Sequence, residues 1–268
     1  MGFSVRAILD PRGTHGIDVV TDRAGRRALW IELCIVGVLS FGFSAIYAIL
    51  SLIESELAQG LGNTTVALNP SRSELGPIDA IRQVMSALRL FAVAGLGVYL
   101  LWRSGIGVAQ AGLRRLTPRR DVPAALVLAA IIGLPGLGLV AVARALGVNA
   151  HLVPATVSSW WQWPILILAA VANAVAEEVI VVAYFITRLR QLGVGENGSL
   201  AASAVLRGGY HLYQGVGAGP GNLVMGLVYG RYFQLTGRVW PLVIAHAVID
   251  MVAFVGYALL RDHLSWVG

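Results

Sequence analysis

Six side chains that can carry charge lie inside apolar stretches of this sequence. Two of them are adjacent carboxylates in the run VANAVAEEVIVVAYF, which covers residues 171–185. A charged side chain at the centre of a membrane-spanning helix costs about 2.5–3.5 kcal/mol even on the more permissive insertion scale, so such residues usually face a protein interior or a hydrated cavity and have a task. The six residues are Glu177, Glu178, Arg207, His211, His246 and Asp250.

Helical spacing places some of these side chains on shared faces. Residues four apart lie on one face of a helix, so Arg207 lies over His211 and His246 lies over Asp250. A carboxylate and two imidazoles in one cavity could activate water, because the carboxylate takes a proton while the imidazoles hold the water, donate to an oxyanion or bind a metal ion. The same groups could form a proton relay or cation site of a transporter, or polar contacts between helices. The residues alone leave these three interpretations open.

The rest of the chain has the composition of an integral membrane protein. Of its 268 residues, 57% are hydrophobic and 13% are charged, and the mean hydropathy is +0.73, far outside the averages of soluble proteins. The basic residues are 20 arginines that fall mainly between apolar stretches, as membrane topology requires. We therefore expect a lipid bilayer as a partner and no nucleic acid. Cys34 is the only cysteine, which excludes an intrachain disulfide and a thiolate metal cluster.

The apolar segments predict an all-α fold, a polytopic bundle of about seven membrane-spanning helices. A spanning helix needs about 20 mainly apolar residues, and the candidates are 28–53, 80–102, 122–146, 161–187, 199–215, 221–236 and 239–260. Arginine-rich connectors alternate with connectors that hold only Arg72, which predicts a cytoplasmic N-terminus. The predicted organisation is a cytoplasmic segment at 1–27 and a single transmembrane domain at 28–268.

Three motifs in fixed order resemble those of a known family of membrane proteases. They are EEVIVV at 177–182, RGGYH at 207–211 and HAVID at 246–250. These are similar to the patterns EExxxR, FxxxH and HxxxN or HxxxD of the CPBP family, the CAAX prenyl protease and bacteriocin-processing family, also called the Abi family. The resemblance covers about 160–260, which we take as the protease-like core, and the first half of the chain matches only as generic membrane helix.

The resemblance implies a role for each motif residue. It makes Glu177 the base that activates water and His211 a second group that holds this water. His246 and Asp250 would stabilise the tetrahedral oxyanion or, in a metalloprotease, join Glu177 and His211 as metal ligands. The resemblance therefore implies no cofactor if the mechanism relies on glutamate, and zinc if the protein is a metalloprotease. An ionised carboxylate cannot donate to an oxyanion, so Asp250 implies either a protonated acid or a nearby cation.

Two positions depart from the family patterns. Val182 stands where the first pattern has arginine, and Arg207 stands where the second has phenylalanine. Glu178 therefore lacks an arginine on its own helix face, and we predict that Arg207 reaches across from the next helix to pair with it. The alternatives for Arg207 are the membrane interface and Asp250.

The function that we expect is that of an intramembrane endopeptidase in a bacterial plasma membrane. It would hydrolyse a peptide bond of a membrane-associated peptide or protein substrate with water activated by glutamate and histidine. An ion-coupled transporter and a catalytically inactive membrane scaffold or immunity protein are the alternatives, the second because of the two departures. We interpret Tyr210 and Tyr213, which flank His211, as packing or interface residues rather than parts of a substrate groove. Arg89 is expected to pair with a carboxylate such as Glu32 or to reach the interface.

Overall fold

Seven long helices make up most of the structure, and each overlaps one of the predicted spans. The computed structural model describes residues 8–9, 11, 16–58, 60–154, 157 and 159–256. Within these residues the helices are α1 (Arg23–Ala58), α2 (Gly76–Arg103), α3 (Pro118–Ala145), α4 (Gln162–Gln191), α5 (Glu196–Tyr210), α6 (Ala218–Thr236) and α7 (Trp240–Met251). Two four-residue strands, β1 (Thr65–Leu68) and β2 (His151–Pro154), pair in parallel between the connectors. The predicted all-α helical bundle is confirmed.

The helices differ in their ability to cross a membrane. In the described part of the chain, α1, α2, α3 and α4 are long and apolar enough to do so. The helix α5 has 15 residues and α7 has 12, so at 1.5 Å per residue each falls short of the roughly 30 Å hydrocarbon core. The protein is an integral membrane protein, and the count of seven spans stays a prediction.

The helix α4 forms the centre of the bundle. In its most apolar window 56% of the residues are buried, against 17%, 22% and 17% in α1, α2 and α3. Every second residue from Ala170 to Ala176 is an alanine that has no exposed surface. Because such small side chains let neighbouring helices approach closely, the sequence AAVANAVAE is suited to the middle of a membrane bundle. The motif glutamates at the end of this run are therefore placed inside the protein.

Glycines bring α5 and α6 into close contact. A Cβ atom added at Gly208 would lie 2.9 Å from the Gly219 carbonyl oxygen, and one added at Gly226 would lie 2.8 Å from the Ala204 Cα. Both distances are too short for any side chain, so these positions need glycine. This packing fixes the end of α5, where the RGGYH motif lies.

Three π-helical segments interrupt or extend the helices. They are Val38–Gly42 within α1, Glu178–Tyr184 within α4 and Val252–Gly256 after α7. The widened turn in α4 is stabilised from α5, because the buried Ser203 hydroxyl donates a 2.6 Å hydrogen bond to the Val181 carbonyl oxygen. Segments of this kind occur frequently at functional sites, because they shift the helical phase of the side chains around them.

A group of polar contacts around the buried Arg188, which we call the anchor cluster, attaches α1 to α2 and α4. The Arg188 guanidinium lies 2.7 Å from the Glu32 carboxylate, and the Tyr184 hydroxyl donates a 2.8 Å hydrogen bond to the same carboxylate. Arg188 also donates to a serine, a glutamine and a backbone carbonyl oxygen. From the sequence, Arg89 was the expected partner of a carboxylate such as Glu32. In the structure the arginine that pairs with Glu32 is Arg188. The cluster consists of Glu32, Leu100, Ser104, Tyr184, Arg188 and Gln191.

The start of α7 is held by the connector between α2 and α3. Arg238 forms two hydrogen bonds of 2.7 and 2.6 Å with the Asp121 carboxylate, and the bonds raise the pKa of the Arg238 guanidinium above its usual value. The Trp240 indole donates to the Arg114 carbonyl oxygen at 2.7 Å. These contacts fix α7, which carries the third motif.

Candidate active site

The two glutamates of the first motif point in different directions from α4. Adjacent residues on a helix are about 100° apart around its axis, so they do not share a face. The Glu178 side chain is completely buried, whereas 11% of the Glu177 side chain is exposed. The two carboxylates therefore have different neighbours and can have different tasks.

Glu178 is held by two cationic or polar groups from other helices. Its Oε1 atom lies 2.7 Å from Arg207 Nη2 and 2.7 Å from His246 Nδ1. An ionised carboxylate only accepts hydrogen bonds, so the His246 Nδ1 atom carries the proton in this contact. The predicted ion pair between Arg207 and Glu178 is confirmed. It joins α4, α5 and α7 at one point.

Arg207 has no exposed surface and lies between the two glutamates. Its Nη1 atom is 3.8 Å from Glu177 Oε2, and its guanidinium carbon lies 5.8 Å from the centre of the Tyr229 ring. The alternative in which Arg207 reaches the membrane interface is wrong, because the side chain is enclosed on all sides. This position lets one guanidinium interact with both carboxylates, closely with Glu178 and at longer distance with Glu177.

The Glu177 carboxylate is bound by Tyr210. The tyrosine hydroxyl donates a 2.6 Å hydrogen bond to Glu177 Oε2, and His246, His211 and Arg207 are close enough to act on the Glu177 charge. Tyr210 packs inside the bundle as the sequence indicated, and its hydroxyl in addition binds the base candidate. A usable signal was present in the sequence, because a buried tyrosine hydroxyl usually needs a partner. Tyr213 differs, since 37% of it is exposed.

His211 directly follows the end of α5. One of its ring nitrogens is hydrogen-bonded to the backbone, and the other is not. Its Nδ1 atom is 3.0 Å from the Arg207 carbonyl oxygen, which can only accept, so Nδ1 is the donor. This bond fixes the tautomer and leaves Nε2 with a lone pair. The imidazole ring packs against Tyr210 with the ring centres 4.6 Å apart. His211 thus offers one acceptor beside Glu177.

His246 links the second glutamate to Asp250. Its Nε2 atom lies 3.6 Å from Asp250 Oδ1, and the Asn173 side chain from α4 hydrogen bonds with Asp250. Since Nδ1 already carries a proton, two states fit this contact: an imidazolium facing a carboxylate, or a neutral imidazole facing a protonated acid. In both states the pair carries one proton that either group can hold, and the two atoms are too far apart for a direct hydrogen bond. That Asp250 is a protonated acid or faces a cation stays a prediction.

The structure brings all the predicted residues into one group, which we call the site cluster. A separate cavity of about 170 Å³ is lined by residues that include Ile186, Arg190 and Gln234, and none of the predicted residues is among its described lining. That the predicted residues share one hydrated cavity stays a prediction. The site cluster consists of Glu177, Glu178, Arg207, Tyr210, His211, His246 and Asp250.

The arrangement of donors does not fit a metal ion. Among the residues that the structure describes, no three His, Cys, Asp or Glu side chains are grouped so that they could hold one. Zinc at Glu177, His211, His246 and Asp250 stays a prediction.

Fold and site together define a helical integral membrane protein with a buried centre of carboxylates, imidazoles and one arginine. Residues 159–252 match the model of a family described as type II CAAX prenyl endopeptidase Rce1-like, which is the CPBP family. The resemblance drawn from the three motifs is confirmed for this part of the chain. Neither a search of curated proteins nor a search of solved structures gave a match.

Proposed function

We propose that this protein is an intramembrane endopeptidase in which Glu177 activates the attacking water. The observation that carries the proposal is the difference between the two adjacent glutamates. Glu178 is completely buried and engaged by Arg207 and His246, while Glu177 is partly exposed and one of its oxygens is bound only by a neutral hydroxyl at hydrogen-bond distance. A carboxylate with one oxygen held and the other free suits a general base.

The first step is the attack of water on the peptide carbonyl. Glu177 takes one proton from the water, and the resulting hydroxide forms a bond to the carbonyl carbon. The lone pair on His211 Nε2 accepts a hydrogen bond from the same water and orients it. This step gives a tetrahedral intermediate with a negatively charged oxygen.

The second step is the stabilisation and collapse of this intermediate. In this step the His246–Asp250 pair turns its proton toward the substrate and donates a hydrogen bond to the oxyanion. The carbon–nitrogen bond then breaks, and the protonated Glu177 returns its proton to the leaving amine. Atoms and charges balance, because Glu177 ends in the ionised form in which it began.

The proposed substrate class is based on the family match, and the proposed membrane orientation is based on the distribution of arginines. The substrate class is a membrane-associated peptide or protein, and a peptide with a prenylated C-terminal CAAX sequence is the first probe because of the family description. The N-terminal segment 1–27 is placed in the cytoplasm of a bacterial cell by the distribution of arginines. The single transmembrane domain at 28–268 would contain the whole active site.

The test is cleavage by purified protein in phospholipid vesicles. The substrates are a farnesylated CAAX peptide and a pool of membrane proteins from the expression host, with products identified by mass spectrometry. Glu177→Gln preserves the volume but removes the proton acceptor, so turnover should fall by about 10²–10⁴-fold. Glu54→Gln, at an exposed position on α1, is the matched control and should cleave as the wild type does.

Other outcomes would favour the alternatives. Wild-type turnover in the Glu177→Gln variant would end this mechanism. Uptake of a solute into the vesicles without cleavage would identify a transporter. Absence of both, together with binding of a membrane protein that Glu177→Gln does not weaken, would identify an inactive scaffold.

A further inference from the structure

The helix α1 contacts the candidate site although it lies outside the family match at residues 159–252. Phe41, within the π-helical segment of α1, stacks on Tyr210 with the ring centres 4.8 Å apart and an angle of 28° between the planes. Both rings are buried, with 9% and 5% of their surfaces exposed. Besides the anchor cluster, the aromatic contact is thus a second link between α1 and the centre of the bundle.

Tyr210 is in contact with two aromatic rings. Phe41 stacks on it, and the His211 ring lies 4.6 Å away at an angle of 38°. A ring confined by two aromatic neighbours has little freedom to move, so its hydroxyl is directed to one place. That place is Glu177 Oε2, at 2.6 Å.

The hydroxyl also keeps Glu177 apart from Arg207. The guanidinium lies 3.8 Å from the same oxygen, and its Nη1 and Nε atoms have no hydrogen-bond partner among the described residues. Without the tyrosine hydroxyl, the carboxylate could turn toward these donors and form a closer ion pair. A carboxylate in that pair would be a weaker base and would lie farther from the water.

We infer that Tyr210 is a positioning residue for Glu177 and that Phe41 of α1 holds Tyr210 in place. The active site then extends beyond the segment that matches the family. This inference rests on the proposed function, in which Glu177 is the base. The π-helical segments agree with it, since one contains Phe41 and another begins at Glu178, directly after the base.

The kinetic test compares two variants with two matched controls in the cleavage assay. Tyr210→Phe should lower kcat by about 10- to 100-fold, the range expected when a catalytic group moves by about 1 Å, and leave KM within about twofold. Phe41→Leu should lower kcat by a smaller factor. Tyr99→Phe and Phe43→Leu change rings that are 49% and 50% exposed and should match the wild type. A purely structural role would lower the unfolding temperature without lowering kcat of the folded protein.

A spectroscopic test reads the contact directly and does not require a substrate. Difference infrared spectra identify the Glu177 carboxylate band as the one that Glu177→Gln removes. The band should shift in Tyr210→Phe, shift less in Phe41→Leu and stay in place in Tyr99→Phe. A Glu177 band at the wild-type frequency in Tyr210→Phe, or a wild-type kcat in that variant, overturns the inference. Unchanged turnover in Glu177→Gln overturns the proposed function instead, so the two failures are distinguishable.

Discussion

Arg188 and Arg207 are both completely buried, and each lies 2.7 Å from a glutamate oxygen, but their surroundings differ. In the anchor cluster, Arg188 donates from Nη1 and Nη2 to four acceptors on three helices or their ends, and only its Nε atom has no hydrogen-bond partner among the described residues. In the site cluster, Arg207 makes one close hydrogen bond, to Glu178, and its Nε and Nη1 atoms have no hydrogen-bond partner among the described residues.

This difference in hydrogen bonding distinguishes an arginine with a structural role, Arg188, from an arginine of the candidate site, Arg207. Buried polar groups are nearly always satisfied, and an exception needs an explanation. An arginine with both terminal nitrogens occupied fixes one arrangement, as Arg188 does for α1, α2 and α4. An arginine with donors to spare next to a partly exposed carboxylate leaves room for water or substrate. Buried donors that lack hydrogen-bond partners are expected at functional sites.

The largest effect is expected from Arg207→Met. This change leaves the Glu178 carboxylate buried without its cation, which typically costs about 3–5 kcal/mol of folding free energy. The measurement is reversible unfolding in mixed micelles. Adding Glu178→Gln should recover part of the loss, because it removes the unpaired charge, with a coupling of about 1 kcal/mol or more. Arg103→Met, at an exposed position, is the control. A double variant whose loss equals the sum of the two single losses would show that the pair does not interact.

The next effect is expected at Asp250, and it should appear in turnover rather than stability. Asp250→Ala removes the group that shares a proton with His246, so cleavage should slow by about 10²–10³-fold, the usual effect of losing an oxyanion donor. Asp250→Asn supplies an amide donor and should stay within about tenfold of the wild type. Equal losses in the two variants would contradict a donor role for this position.

A moderate effect is expected from Glu32→Gln in the anchor cluster. The Glu32 side chain is 27% exposed, so water compensates in part, and the loss of the charged hydrogen bonds should cost about 1.5–3 kcal/mol of stability. Turnover of the folded protein should not change. A variant with normal stability and slow turnover would show that the anchor cluster also belongs to the active site.

The smallest effect is expected from Tyr184→Phe, the counterpart of Tyr210→Phe. Each tyrosine donates one hydrogen bond to a glutamate, but the Tyr184 partner is structural. The variant should lose about 0.5–1.5 kcal/mol in unfolding experiments and keep kcat. A lower kcat in Tyr184→Phe would remove the distinction between the two clusters.

The sequence was sufficient to find the charged part of the site. Charged residues are rare in apolar segments, so Glu177, His211 and His246 stood out by type alone. The absence of an arginine at 182 also predicted the pair of Arg207 with Glu178. Val182 itself has no exposed surface and packs in an apolar cluster, which agrees with the arginine being supplied from α5.

The uncharged part of the site was not predictable in the same way. Phe41 and Tyr210 are far apart in the chain, and aromatic residues in apolar segments have no distinctive type. The π-helical turns change the direction in which the following side chains point around the helix axis. A regular 3.6-residue periodicity therefore does not predict that direction. The complete burial of the Arg188 side chain was not predictable either, because burial of a helix end depends on which helix covers it.

The most direct test of the account compares Glu177→Gln with Glu178→Gln in the same preparation, measuring both turnover and unfolding free energy. If Glu177 is the base and Glu178 the buried partner of Arg207 and His246, Glu177→Gln should abolish most turnover and change stability little. Glu178→Gln should instead lower stability by several kcal/mol, as expected when one side of a buried pair is removed. The opposite assignment, with turnover lost only in Glu178→Gln and stability lost only in Glu177→Gln, would contradict the account.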